Sequence, residues 1–296
     1  MKVINHNLKD YLAIIVVLFV AIVISLLTGF NMPSYWGVPI LILCMSTSFL
    51  LHWIAFIPAF YFKTEKFYDI LGTFAYLSII LISLFLTKKI SGENISFRSL
   101  IIAVLVIVWA LRLGLFLLFR VLKSGEDRRF REPMKSCSKF LLWWSMSALW
   151  VFLTTINAIT TIVNNYSSIN DLFLYIGLSI WSIGFVFELI SDEQKRRFKN
   201  KPENKGRFIS SGLWHLSRHP NYFGEITIWF GISIISLPTL TGLQFVSLIS
   251  PIFVYFLLTR ISGINLLEQQ ADHKWGNSKE YQAYKKQTPP LIPFTK

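Results

Sequence analysis

An apolar run long enough to cross a bilayer recurs along this chain of 296 residues, and that repetition decides the fold class before any motif is considered. Six runs cover 11–27, 38–61, 68–86, 100–119, 140–163 and 172–190, and two shorter or broken ones follow at 221–237 and 243–258. About 20 apolar helical residues span a ~30 Å hydrocarbon core. Backbone groups in that core must be paired within the chain, so the spans are helices or closed barrels, and runs this continuous lack the alternation of a barrel strand. The expected fold is all-α, a polytopic membrane helix bundle with seven or eight transmembrane helices. A hydrophobic share of 53% against 15% charged agrees. Lys2 and Lys9 precede the first run as in a signal peptide. No small-x-small cleavage site follows at Leu26-Leu-Thr-Gly-Phe30, so that run is expected to stay as a helix.

The net charge of +13 raises the question of a nucleic-acid partner, and the placement of the charges answers it. With a cytoplasmic N-terminus and alternating spans, every Lys and Arg except Lys88, Lys89, Arg98 and Arg112 falls on the cytoplasmic side. The positive-inside rule accounts for that basicity, so no nucleic-acid partner is expected. The expected location is the lipid bilayer, with both termini cytoplasmic; richness in Ile, Lys and Asn points to a bacterial inner membrane. The two cysteines, Cys44 and Cys137, suffice for neither a disulfide framework nor a metal knuckle. Oligomeric state is not legible.

Chemistry concentrates in 206–225, where glycines, Arg218-His219-Pro220, Asn221, Tyr222 and Glu225 interrupt the apolar background. Pro220 suits the first position of a helix. The free N–H groups of that helix start, beside Arg218 and His219, make an expected anion site. Upstream, Glu188, Asp192, Arg196 and Lys199 recur at helical spacing, putting two acids and two bases on one stripe. That pattern fits a charge-paired juxtamembrane helix, or acids that hold a ribose beside bases that hold phosphates. The tail after Arg260 is amphipathic, with Tyr281 and Tyr284 among its aromatic anchors. It suits a helix lying on the membrane surface or a lid folded back over a cofactor.

Nearer the N-terminus, Asp69 and Tyr76 lie two turns apart on one helical face. Asp69 suits a dipole-stabilising acid at a helix start or a polar lining of a cavity. Arg112 lies inside a span, where a charge faces the bundle interior or snorkels to the surface. The double-signed loop 120–133 reads as a solvated face toward lipid headgroups. No GxGxxG, GxxxxGK[ST], HExxH or GxSxG occurs, so Rossmann, P-loop, zincin and serine-hydrolase chemistry have no motif to stand on.

At Trp214-His-Leu-Ser-Arg-His-Pro-Asn-Tyr-Phe-Gly-Glu225 the chain resembles the membrane reductases that include the steroid 5α-reductases and sterol C14 and Δ7 reductases. It looks most like the bacterial 5α-reductase-like proteins known as DUF1295. The likeness runs over roughly 65–294 and includes Gly125-Glu-Asp-Arg-Arg-Phe130, 188–199, Arg260 and Leu291-Ile-Pro-Phe294. It divides the chain into N-terminal transmembrane helices (1–62) and a reductase-like domain (63–296).

The resemblance implies cytoplasmic cofactor-binding loops that take NADPH among Glu188, Asp192, Arg196, Lys199, Arg218, His219, Asn221, Tyr222, Glu225, Arg260, Tyr281 and Tyr284. It implies hydride transfer to the β-carbon of an enone in an apolar, steroid-like or isoprenoid lipid. Tyr76, Asp69 and Arg112 are the candidates for the catalytic side, and no metal is implied. The chain departs from the steroid 5α-reductases in two places. Trp109 stands where they carry a tyrosine, and no histidine follows Arg260 closely. Two other readings stay open. One is a membrane methyltransferase of the isoprenylcysteine carboxyl type, which shares the Arg-His-Pro-x-Tyr-x-Gly signal and uses S-adenosylmethionine. The other is a non-catalytic lipid-binding protein.

Overall fold

The computed structural model describes residues 2–166, 172–261 and 263–295. The first six apolar runs form α1 (Lys2–Thr28), α2 (Ile40–Tyr61), α3 (Tyr68–Ser91), α4 (Phe97–Ser124), α5 (Cys137–Asn164) and α6 (Leu172–Asn200). Then come α7 (Leu213–Leu216), α8 (Pro220–Ser236), α9 (Ile249–Phe256), α10 (Ile264–Trp275) and α11 (Lys279–Gln287). Among the described residues, seven segments are long and apolar enough to cross a membrane, the last being Gly242–Trp275. This is an integral membrane protein of the all-α class. The run expected at 221–237 is α8, whose 17 residues extend about 26 Å, short of a ~30 Å core.

The uncharged link between α1 and α2 folds into a two-stranded antiparallel ribbon, β1 (Ser34–Tyr35) and β2 (Val38–Pro39). Its turn residues Trp36 and Gly37 have φ of 48° and 78°, the left-handed pair that matches strand twist in a two-residue hairpin.

Two compact units divide the chain: Met1–Asp171 with Ser236–Ser250, and Leu172–Ile235 with Pro251–Lys296. The first is built around α5, which packs against α1, α2, α3 and α4. Its stretch from Ala148 to Val163 is buried nearly all round, apart from Trp150 at the edge of burial. A helix apolar on every face belongs inside a bundle. The hydroxyls on this helix are satisfied locally: Thr154, Thr155 and Thr160 donate to carbonyls one turn back at 2.8, 2.6 and 2.7 Å.

Polar side chains stitch α2 to α5. Ser48 donates to the Ala148 carbonyl at 2.9 Å and Trp53 Nε1 to Ser145 Oγ at 3.0 Å. His52 lies between Ser48 O at 2.7 Å and Ser147 Oγ at 3.0 Å. Hydrogen bonds of this kind join helices where lipid supplies no hydrophobic drive. Between α3 and α4 the joint is steric, since a Cβ on Gly114 would stand 1.8 Å from Thr73 Oγ1.

The loop between α4 and α5 is largely exposed, as the sequence predicts, but Phe130 anchors it. Phe130 is fully buried with Ala59, Phe140 and Trp144. Asp127 receives Arg129 at 2.6 Å, and its backbone N–H donates to Glu65 at 2.8 Å. Burial raises the Asp127 carboxyl, but the Arg129 hydrogen bonds outweigh it and hold the group below its ordinary value. Among the described residues of the loop, Asp127 is the charge that turns inward, and its pairing with the exposed Arg129 offsets the desolvation of that carboxylate.

In the second unit α6 and α8 touch backbone to backbone. A Cβ on Gly177 would lie 2.7 Å from Gly231 O, and one on Gly184 would lie 2.7 Å from Gly224 O. Both helices carry glycine at a seven-residue interval, two turns apart on one face. Small residues let membrane helices approach this closely and gain packing over their full length.

Candidate functional site

The 206–225 stretch is held between α6 and the C-terminal tail, all within the second unit. Gly206 and Gly212 sit at φ of 85° and 63°, which a side chain adopts only with strain. At Gly212 a Cβ would also strike the Gln194 amide at 2.5 Å. That amide oxygen accepts from Leu213 N at 2.9 Å, and Trp214 Nε1 donates to Ser191 O at 3.0 Å, fixing α7 on α6. Lys195 stands 4.4 Å above the Trp214 ring. Pro220 opens α8 as the sequence predicts.

The tail folds back onto this stretch. Phe208 packs against Trp275, Tyr281 and Tyr284 with ring centroids 5.9, 5.2 and 5.4 Å away. Ser217 Oγ donates to Leu291 O at 2.7 Å and Arg218 N to Pro289 O at 2.9 Å. The Tyr284 hydroxyl donates to Trp214 O at 2.5 Å, and that of Tyr281 to Asp272 at 3.3 Å. Burial raises both phenols, Tyr281 to about 12, so both remain protonated donors at neutral pH. The Tyr284 hydroxyl is a strut between tail and loop, and that of Tyr281 ties α11 to α10 within the tail.

Glu268 on α10 is the centre of the arrangement. It takes Arg218 Nε at 3.1 Å on one oxygen and Arg218 Nη2 at 3.0 Å on the other. His219 Nε2 lies 2.8 Å from the first oxygen. The remaining guanidinium nitrogen, Nη1, donates to Lys285 O at 2.8 Å and Thr288 O at 2.7 Å. Arg218 is therefore spent on protein acceptors, and the expected grip on an anion becomes a clamp on the tail. Glu268 is not among the residues the sequence singles out. Its signal is the i, i+4 pair Glu268 and Asp272 on an amphipathic helix in a basic tail.

His219 is 6% exposed and stacks on Tyr222 at 5.8 Å. Its Nδ1 is buried with no hydrogen-bond partner among the described residues. Burial lowers its pKa, and Lys195 and Arg218 push the same way against Glu268. Three acids of the same unit are also buried: Glu188, Asp192 and Glu225. Glu188 faces the start of α8, since a Cβ on Gly224 would lie 2.9 Å from Glu188 Cβ. Phe187 and Phe223 stack edge to face at 5.3 Å on the same contact. Asn221 and Tyr222 are half-buried in the first turn of α8.

Other predicted residues have surroundings of their own. Arg196 is exposed and shares Glu193 with Arg197, at 2.6 Å each, instead of continuing the acidic stripe. Lys199 and Arg260 are exposed. The catalytic candidates belong to the first unit, where Tyr76 is buried, with its hydroxyl 2.7 Å from Thr154 Oγ1 and its ring edge-on to Trp109 at 5.3 Å. Asp69 lies 3.6 Å from Arg120 and 3.8 Å from Arg129, in the network that docks the 125–135 loop. Arg112 is half-buried, with its guanidinium 5.6 Å from the Phe116 ring. Asp69 and Tyr76 share a helix face but have different partners.

Comparison with known proteins follows the same lines. Residues 55–288 match the family described as protein of unknown function DUF1295. Over 118 residues, 40% of each chain, the protein is 28% identical to rat (Rattus norvegicus) 3-oxo-5-alpha-steroid 4-dehydrogenase 1. The mouse (Mus musculus) protein of the same name is 27% identical over 118 residues, 40% of this chain and 41% of that one. A probable O-methyltransferase of Ustilaginoidea virens is 40% identical over 57 residues, 19% of this chain and 20% of that one. The matches thus span well under half the length of each curated relative. No solved structure matches. With most of its length under one family description and its curated likenesses extending to steroid 5α-reductases, this chain is a member of the DUF1295 family of membrane proteins.

Proposed function

We propose that this protein is a membrane reductase that binds NADPH in its second unit and reduces a conjugated C=C of an apolar, steroid-like or isoprenoid lipid. The observation that carries the reading is His219 at the start of α8. It keeps one buried ring nitrogen with no hydrogen-bond partner among the described residues, in the unit that also buries Glu188, Asp192 and Glu225. Likeness to two mammalian 3-oxo-5-alpha-steroid 4-dehydrogenases supports the reaction class.

The residues fit that cofactor by their chemistry. Buried carboxylates accept from ribose hydroxyls, and the exposed cations Arg196, Lys199 and Arg260 suit phosphates. When bound, NADPH supplies a hydride to the β-carbon of an enone. Tyr222 and Asn221 line the first turn of α8, and the Arg218–Glu268 clamp holds the tail over the stretch that carries them. In the first unit Tyr76 is the proton-donor candidate, with its hydroxyl oriented by Thr154 and its ring by Trp109. Asp69, tied to two arginines, is a weaker candidate. The roles of Tyr76, Asp69 and Arg112 stand as proposals on the substrate side. We also propose a bacterial inner-membrane location with both termini cytoplasmic, which the sorting of Lys and Arg supports.

The short likeness to a probable O-methyltransferase favours one second reading, methyl transfer from S-adenosylmethionine. Tritide transfer from labelled NADPH to a lipid enone, run beside methyl transfer from labelled S-adenosylmethionine, separates the two. Tritium in the product supports the reductase; label arriving only from the methyl donor replaces it.

A further inference from the structure

The Glu268–His219 pair carries one step beyond that reading, on which it rests. Glu268 already balances its charge with Arg218, gripped on both oxygens at 3.1 and 3.0 Å. A charge on His219 would be desolvated in a site where the ring is 6% exposed. Burial acts first against the imidazolium, Lys195 and Arg218 act the same way, and the opposing contact with Glu268 does not outweigh them. The ring is thus neutral and carries a single proton.

The position of that proton follows from the partner. An ionised carboxylate only accepts, so Nε2, at 2.8 Å from Glu268, is the nitrogen that holds the hydrogen. Nδ1 is left as a lone-pair acceptor with no hydrogen-bond partner among the described residues. A buried acceptor without a partner carries an energetic cost that a ligand donor removes.

We propose that Glu268 is a positioning residue that fixes the Nε2–H tautomer of His219, so that Nδ1 accepts a hydrogen bond from an N–H or O–H donor of the bound ligand. On the reductase reading, the donors of that class are the carboxamide N–H and the ribose hydroxyls of NADPH; phosphate oxygens, which only accept, are excluded from this contact. This reverses the expectation that His219 helps to hold an anion.

Two variants split the two jobs of the ring. His219→Asn keeps an amide oxygen near the place of Nδ1 and cannot reach Glu268. His219→Gln reaches toward Glu268 and offers nothing at Nδ1. If the acceptor matters, NADPH binds the Gln variant at least about tenfold more weakly than the Asn variant. If His219 is only a strut to Glu268, the order inverts, and the proposal is overturned.

A second measurement reads the tautomer directly and does not depend on catalysis. The detergent-solubilised protein is labelled with 15N-histidine, and the His219 signals are identified by their loss in His219→Asn. The expected spectrum at pH 7.5 shows a protonated Nε2 and an unprotonated Nδ1, and NADPH moves Nδ1 while Nε2 stays. In Glu268→Gln the tautomers mix. A protonated Nδ1, or a tautomer unchanged in Glu268→Gln, overturns the positioning role. If NADPH raises the melting temperature but leaves Nδ1 unmoved, the ligand contact fails alone. If NADPH does neither, the reductase reading fails and takes the contact with it.

Discussion

Glu268 and His219 are separated by 49 positions in the chain and by 2.8 Å in the fold. Because Arg218 grips the same carboxylate, the contact joins the start of α8 to the tail helices through one acid. Arg218→Ala is expected to release the tail. Removing one partner of a buried pair costs about 3 kcal/mol, and three hydrogen bonds and a second ion-pair contact leave with the guanidinium. Limited proteolysis checks this: cleavage within 276–295 should become fast in Arg218→Ala while the rest of the chain stays protected. Arg218→Lys should rescue only in part, since an ammonium cannot make the forked contact.

The glycine contacts between α6 and α8 give a steric prediction. Gly184→Leu puts a branched side chain where Gly224 O and Ile228 N lie 2.7 and 2.8 Å from a Cβ. The overpacking should cost about 3 kcal/mol and lower the melting temperature in detergent. Gly72→Ala is the control, because a Cβ there meets nothing within 4 Å. Alanine at that helical position should be neutral or stabilising by up to about 1 kcal/mol.

Acid should weaken cofactor binding through His219. Its pKa is lowered by burial, then by Lys195 and Arg218, against Glu268, so the neutral acceptor predominates above the ordinary value of about 6.5. As the pH falls through the lowered value, Nδ1 becomes a donor. NADPH affinity should hold above the ordinary value and fall on acidification below it. The same depression contributes stability that is present above the ordinary value and lost on acidification. Titrating NADPH binding against pH checks this, and His219→Asn should flatten the acid limb.

Sidedness can be read with native cysteines. Cys137 is exposed at the start of α5 and Cys44 is buried in α2. A membrane-impermeant maleimide should label Cys137 from the cytoplasmic face only, in inverted but not right-side-out vesicles. Labelling from the opposite face reverses the proposed orientation.

The spans were legible because continuous apolar runs leave only one answer, and the polar island 206–225 stood out against them. Glu268 did not, because sequence spacing measures one helix at a time and its partners lie on another element. The same limit hid the partners of Asp69. It is an acid in the first turn of α3, as its sequence position suggests, yet Arg120 and Arg129 beside its carboxylate lie elsewhere in the chain. Nor does a stripe reveal competition: Arg196 was aligned with Asp192 and pairs instead with the nearer Glu193. The seven-residue glycine interval on α6 and α8 was in plain view, and its meaning needed both helices together.

The central claim is tested most directly by the melting temperature of the detergent-solubilised protein with NADPH or S-adenosylmethionine. Saturation at 100 times Kd stabilises a binder by about 2.7 kcal/mol. A rise with NADPH and none with S-adenosylmethionine is the predicted result. No rise with NADPH, or a rise with S-adenosylmethionine alone, would contradict it.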